Sequence, residues 1–375
     1  MNNNNNALGL GLVGCGETGR LCLQAYSQIE NIRPIAVADT IHKDADIAAQ
    51  EFGLHSHYFD LEELILRDDI RMVHFATPPF SHYGLGMMTA NEGKHALCEA
   101  PLAVSVEEAD ALLNAAKENN VIMPVNFVLR HTPISEAVKS IIDSQILGYV
   151  LHATLENYAT DERFSPDHWF WNNSMSGGIF IAHGVHFFDL YEWWLGSGKV
   201  ISAHAEVRPG TKQEDRVMCT VRHDNGALVS HYHSFDQPER LENTFHRILF
   251  EKGVITIEGW LPQTLTINAI GDEENITALV KSCPGCNIET IESYKGSQQA
   301  CRARGKQITA TRIVKIRYTA EPVEKQAQYL WATSDLMTDQ LHYIADHSHQ
   351  RRVVEENGRT SLTLAVKAAE LAAAK

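Results

Sequence analysis

The chain has 375 residues, 44% of them hydrophobic and 21% charged. That composition suits soluble globular domains, and the length favours two of them over one. A formal net charge of −15 with no concentrated Lys/Arg stripe argues against nucleic acid or an anionic membrane surface as partner.

The opening MNNNNNALGLGLVG has no positively charged start, and glycines break its short apolar run. Neither a signal peptide nor a spanning helix is expected, and residues 1–6 read as a disordered leader. Seven scattered cysteines, Cys15, Cys22, Cys98, Cys219, Cys283, Cys286 and Cys301, suggest reduced thiols in a cytoplasmic protein. From Ala7 to Phe127 apolar runs alternate with amphipathic stretches, the rhythm of strands joined by crossover helices. Strands are expected at ALGLGLVG, RPIAVAD, HSHYF, RMVHFAT, HALCEA and VIMPVNF. Helices are expected at RLCLQAYSQI, LEELIL and VEEADALLNAAKEN.

After a helix around ISEAVKSIIDS the rhythm changes to alternating segments without regular helices between them. YVLHATLENY, VISAHAEVRP, DRVMCTVRH, GALVSHYHSF, TFHRILFEKGVITIEG and RIVKIRY read as a mostly antiparallel sheet. The stretch from Glu324 to the end reads as helical. The expected organisation is α/β: a Rossmann dinucleotide-binding domain over residues 1–127, then an α/β domain over 128–375 with a large, mainly antiparallel open sheet for substrate and oligomerisation.

The first expected strand runs into Gly14-Cys15-Gly16-Glu17-Thr18-Gly19 and then a helix. In that context glycines admit a pyrophosphate to the amides at the helix start. The second strand ends at Asp39, where a carboxylate can accept from an adenosine ribose and repel a 2′-phosphate, so NAD is favoured over NADP.

The segment VHFATPPFSHYGLGMMTANEGKHALCEAPLAVSVEEADALL carries Thr77, Pro78, Pro79 and His82, then Gly93-Lys94-His95, then Glu99-Ala100-Pro101. Together with Asn126, Arg130 and SGGIFIAHGVHFFDLYEWWLG it resembles the glucose-fructose oxidoreductase, inositol dehydrogenase and MocA family over nearly the whole chain. The resemblance implies a Rossmann domain, a second α/β domain whose sheet mediates dimers or tetramers, and hydride transfer between a nicotinamide cofactor and a secondary alcohol of a sugar, cyclitol or similar small molecule. It assigns Thr77, Pro78, Pro79, His82, Glu99, Ala100 and Asn126 to the cofactor.

The resemblance also implies two vacancies. Where the usual pattern carries a lysine this chain has Ala100, and where it carries an aspartate it has Ala182, while the histidine survives as His186. Hydride leaving a carbinol requires its proton to leave too. His186 is the expected acid/base, with His183 beside it; Arg130 is expected to help hold either the domain interface or substrate, His168, Trp169 and Asp189 are further candidates to meet substrate, and Tyr158 belongs to a segment expected near the cleft. Two alternatives stay open: a lyase or glycosidase using tightly held NAD within one turnover, and a dinucleotide-dependent sensor without turnover.

Nineteen histidines make clusters such as His183/His186/Asp189 or His231/His233 expected by chance, and no metal is assigned. Asp167-His168-Trp169-Phe170-Trp171-Asn172 reads as packing or as cover for a ring, and Trp193 and Trp194 as core or subunit interface. Cys283-Pro284-Gly285-Cys286, with Cys301, reads as a surface excursion between strands with free thiols.

Overall fold

The structure, a computed structural model, describes residues 7–294 and 299–374; the expected leader, 1–6, lies outside them. The chain packs as two compact units. The first comprises Met1–His131, Asp167–Asp189 and Tyr329–Val366, the second Thr132–Pro166, Leu190–Gln328 and Lys367–Lys375. The first segment thus ends four residues past the cut drawn from the sequence, and two later segments return to the first unit.

In the first unit, strands β1 (Leu8–Val13), β2 (Ile32–Ala38), β3 (Ser56–Tyr58), β4 (Met72–Phe75) and β5 (His95–Cys98) alternate with helices α1 (Glu17–Tyr26), α2 (His42–Glu51), α3 (Leu61–Ile65), α4 (His82–Asn91) and α5 (Val106–Glu118). The strands form a parallel sheet in the order β3-β2-β1-β4-β5. Helix starts follow side-chain chemistry: Asp60 accepts from the Glu62 amide at α3 and Ser105 from the Glu108 amide at α5. The β1–β2 register slips where Leu10 meets Pro34, which has no N–H to give the ladder.

The sixth expected strand, VIMPVNF, is reduced to one parallel bridge between Cys98 and Val125. Its backbone still accompanies β5, for Ala96 N donates to Ile122 O and Cys98 N to Pro124 O. Pro124 has no donor of its own, which stops a regular ladder.

The second unit opens with α6 (Pro133–Asp143), capped by Thr132 and led by a proline at its first turn. Nine strands follow: β6 (Val150–Thr160), β7 (Gly198–Val207), β8 (Glu214–His223), β9 (Leu228–Gln237), β10 (Asn243–Phe250), β11 (Gly253–Glu258), β12 (Thr264–Gly271), β13 (Asn287–Ser293) and β16 (Arg312–Thr319). They form one sheet, β13-β16-β12-β11-β10-β6-β9-β8-β7. Only β6 with β9 is parallel among these pairs. Period-two alternation gives it a buried and an open face. Register aligns Cys219, His231, Leu155 and His246 across the buried one.

The stretch read as a surface excursion around GDEEN and CPGC is more ordered than expected. It holds α9 (Glu273–Ser282), whose Asp272 cap accepts from the Asn275 amide, and the exposed edge strand β13. Between β13 and β16 a ribbon pairs β14 (Gln299–Ala303) with β15 (Lys306–Ala310).

Candidate active site

The glycine turn is built by close packing. Gly14 takes φ +95°, and a Cβ there would run into the Ala76 carbonyl; at Gly19 one would strike the Gly14 carbonyl. Gly16, the first capping residue of α1, has open space where a Cβ would stand and no side-chain cap bond. With Glu17 and Thr18 also exposed, the first amides of α1 face outward, the arrangement that receives an anion.

Asp39 fixes this turn from the end of β2, accepting from the amides of Cys15 at 2.7 Å and Ile41 at 2.8 Å. The Cys15 thiol points inward to the Ala38 carbonyl. Burial, with Asp39 and Asp44 nearby, pushes it up to about 12, so it is a packing group and not a nucleophile.

A second pair of loops follows β4 and β5. Thr77 and Ser81 share a hydroxyl hydrogen bond of 2.7 Å, and Ser81 donates to the Pro78 carbonyl. Pro79, buried, opens the short 3₁₀ turn leading to α4. His82 sits between the carbonyls of Thr77 and Pro101, each at 2.8 Å. It therefore ties the strand end to the turn after β5, where the Ala100–Pro101 peptide is cis. Burial holds the His82 pKa below its usual value although both carbonyls oppose this.

Glu99 closes the group. Its Oε1 accepts from Asn126 Nδ2 at 2.7 Å and lies 3.2 Å from His74 Nε2. Burial raises its pKa, but His74 and the Asn126 bond outweigh that and leave a carboxylate below the usual range.

Asn173–Ser176 forms α7, and left-handed Gly177 and Gly178 separate it from a π-helical turn, Phe180–Gly184, that continues into α8 (Val185–Leu195). Such turns recur at functional sites because the extra residue re-aims side chains. Here the turn carries Ala182 and His183, and His186 is the second residue of α8. The His183 and His186 rings lie 6.2 Å apart, and His186 meets Phe127 edge-on at 6.1 Å. Burial lowers the His186 pKa to about 4, opposed by the Glu99 charge, so the imidazole is neutral at physiological pH.

Other candidates stand elsewhere. Arg130 and Asp189, read from the sequence as substrate contacts, are buried and bound to each other in a bidentate pair of 2.7 and 2.6 Å. Arg130 also donates to the Arg352 carbonyl, so both are committed to structure. His168 and Trp169 are half-buried beside a short 3₁₀ turn, where His168 Nδ1 accepts from the Phe170 amide. Tyr158 lies on the open face of the large sheet and donates to Glu156 at 2.6 Å. His231 and His233 are buried on the other face with Tyr191 and His246, far below the usual imidazole pKa through burial. Trp194 is core, its indole donating to the Ser135 carbonyl. Cys283 is buried at the end of α9 and Cys286 is partly exposed, both as free thiols; the Cys301 side chain lies outside the described ones.

Sequence reasoning missed Cys22, Tyr26 and His74, which pack behind Glu99. The signal was there in RMVHFAT, where one imidazole interrupts a wholly buried strand.

A Rossmann sheet followed by a large mixed sheet defines a two-unit dinucleotide-binding fold. The family described as "Oxidoreductase family, NAD-binding Rossmann fold" matches residues 8–127, and the GFO/IDH/MocA C-terminal domain matches residues 135–256. The chain belongs to the GFO/IDH/MocA oxidoreductase family.

Levoglucosan dehydrogenase of Pseudarthrobacter phenanthrenivorans is 28% identical over 260 residues, 60% of this chain and 66% of that protein. The scyllo-inositol 2-dehydrogenase (NAD(+)) of Bacillus subtilis is 26% identical over 226 residues, 59% and 64% of the two chains. These matches span less than two thirds of either relative's own length. A solved levoglucosan dehydrogenase in complex with NADH and levoglucosan shares the fold at TM-score 0.77 and 21% identity, covering 98% of each chain.

Proposed function

We propose that this chain is an NAD-dependent oxidoreductase that transfers hydride to or from one carbinol carbon of a sugar, cyclitol or similar hydroxylated molecule. The observation that carries the reading is the placement of His186 at the start of α8, against Phe127 and 6.2 Å from the His183 ring, in the unit that bears the glycine turn. Burial lowers its pKa and the Glu99 charge opposes this. The names of the levoglucosan and scyllo-inositol relatives support the substrate class.

The residues present fit a dinucleotide. Gly16 leaves room above the amides of α1. Asp39, whose carboxylate is already oriented by two amides, retains lone pairs for a ribose diol and disfavours a 2′-phosphate. Thr77, Pro78, Pro79, His82, Glu99 and Asn126 frame the nicotinamide half. NAD bound there supplies the hydride acceptor. His186 takes the proton that the alcohol must release, and the Glu99 carboxylate favours the resulting imidazolium. His183 stands next to it as a second polar group; Ala100 and Ala182 can neither give nor take a proton.

Those two alanines favour a second reading, in which the dinucleotide is bound without net turnover. Purified protein with NAD and a polyol panel separates the cases: growth of absorbance at 340 nm supports the dehydrogenase. Substrate loss without NADH indicates chemistry within one turnover. Saturable NADH binding with neither indicates a sensor.

The reduced thiols and the charge support a cytoplasmic place. Exposed Ile201, Met218, Phe245 and Leu249 on the large sheet support a contact between copies of this chain. Light scattering on Met218→Asp reads that contact as a smaller particle, and an unchanged mass removes it.

A further inference from the structure

Behind the Glu99 turn, three chemically different side chains converge from three elements: Cys22 of α1, His74 of β4 and Glu99 after β5. Among the described residues they form a group whose ligand atoms all lie within 4.8 Å of one another. Cys22 Sγ is 3.8 Å from Glu99 Oε1, and His74 Nε2 is 3.2 Å from the same oxygen. Around a tetrahedral zinc, bond lengths of 2.0–2.3 Å put neighbouring ligand atoms roughly 3.3–3.6 Å apart. The two distances bracket that range.

The second observation is directional. His74 is 0% exposed, and its Nε2 lies within ion-pair distance of Glu99 Oε1, 3.2 Å, but outside hydrogen-bond geometry. Two atoms that are near but not aligned as donor and acceptor are placed like two ligands of one ion.

The surroundings match what such a site needs. The other ring nitrogen, Nδ1, shares a 2.7 Å hydrogen bond with Tyr26 Oη, and Asn126 orients the carboxylate. Partners of this kind fix a ligand's tautomer and direction. Tyr329 Oη lies 3.8 Å from Cys22 Sγ, and the Glu99 side chain keeps 16% exposure.

We propose that Cys22, His74 and Glu99 form a binding site for a borderline-soft divalent cation of the zinc class. Thiolate, imidazole and carboxylate together select such an ion over magnesium or calcium, which prefer all-oxygen sets. Binding releases the Cys22 thiol proton to solvent as the S–M bond forms, so affinity rises with pH. The ion would brace the turn carrying Glu99 from behind, and by drawing on the carboxylate that faces His186 it would also weaken the pull of that charge on the imidazole.

The test uses the full chain, stripped with a chelator and then given Zn²⁺ or Co²⁺ alone. Plasma mass spectrometry after gel filtration is expected to find one tightly held ion per chain. The cobalt form is expected to show a near-ultraviolet thiolate charge-transfer band that Cys22→Ser abolishes and Cys286→Ser preserves. Tyr26→Phe, which releases the outer ring nitrogen of His74 and the hydroxyl's contact with Cys22 while leaving all three ligand side chains in place, is expected to weaken binding about 10–100-fold, a change that a packing role alone does not produce. Substoichiometric metal, a band that survives Cys22→Ser, or a band lost in Cys286→Ser overturns the proposal. If Cys22→Ser does not fold, His74→Asn replaces it with the same readout.

Discussion

The two ends of the candidate site are built on opposite plans. At the glycine turn and the Glu99 loop nearly every polar group is engaged: Asp39 by two amides, His82 by two carbonyls, Glu99 by Asn126. At the π-helical turn the chain offers His183 and His186 with alanines at 100 and 182, and burial has pushed His186 down to about 4. A satisfied cradle can position a ligand whatever the chemistry; on the proposed function the reacting end rests on one imidazole, so a single change there should separate binding from turnover.

His186→Ala probes that contrast most strongly. The expected loss in kcat is about 10²–10⁴-fold with NADH affinity within about twofold, read by steady-state rates and by fluorescence titration. Equal losses in both would show that the ends are not separable.

Arg130→Ala attacks the scaffold instead. It leaves Asp189 buried without its guanidinium, and urea unfolding is expected to show a loss of about 3–5 kcal/mol. A loss below about 1 kcal/mol would return Arg130 to the list of ligand contacts.

Asp39→Ser tests the cradle's selectivity. It is expected to narrow the preference for NADH over NADPH by about tenfold, roughly 1.4 kcal/mol. No narrowing would mean that the carboxylate serves only the turn.

The effect furthest from the site concerns the buried imidazoles of the large sheet. Burial lowers His246 to about 3, against about 6.5 in an unfolded chain. Between these values the unfolded state binds the extra proton, so this contribution is full above pH 6.5 and is lost as pH falls. His246→Gln should flatten stability against pH between 4 and 6 by up to about 1.4 kcal/mol per unit. An unchanged slope would place the acid sensitivity elsewhere.

Much of the first unit was legible because its signals are local. A strand, a glycine turn, a helix and a distal acid can be read within forty residues, and β1 to β5 stand where the apolar runs are. Pro124 was visible too, yet the run VIMPVNF outweighed it in a reading of hydrophobicity alone. Helix α9 escaped because its polar, Glu-rich start resembles a loop, although the Asp272 cap announces it. Asp189 looked like a site residue because it is charged and follows His186 closely in sequence, and Arg130 because the family resemblance includes it; only folding reveals that they neutralise each other.

The sequence by itself determined the alternation of elements, the dinucleotide turn, and the presence of alanine at 100 and 182, since these depend on residue identity and short-range periodicity. Only the tertiary structure decided which polar groups are spent on one another. It returned residues 167–189 and 329–366 to the first unit and brought Cys22, His74 and Glu99 together across 77 positions of chain. Contacts between residues distant in sequence are set by how whole elements pack, and no local pattern encodes them.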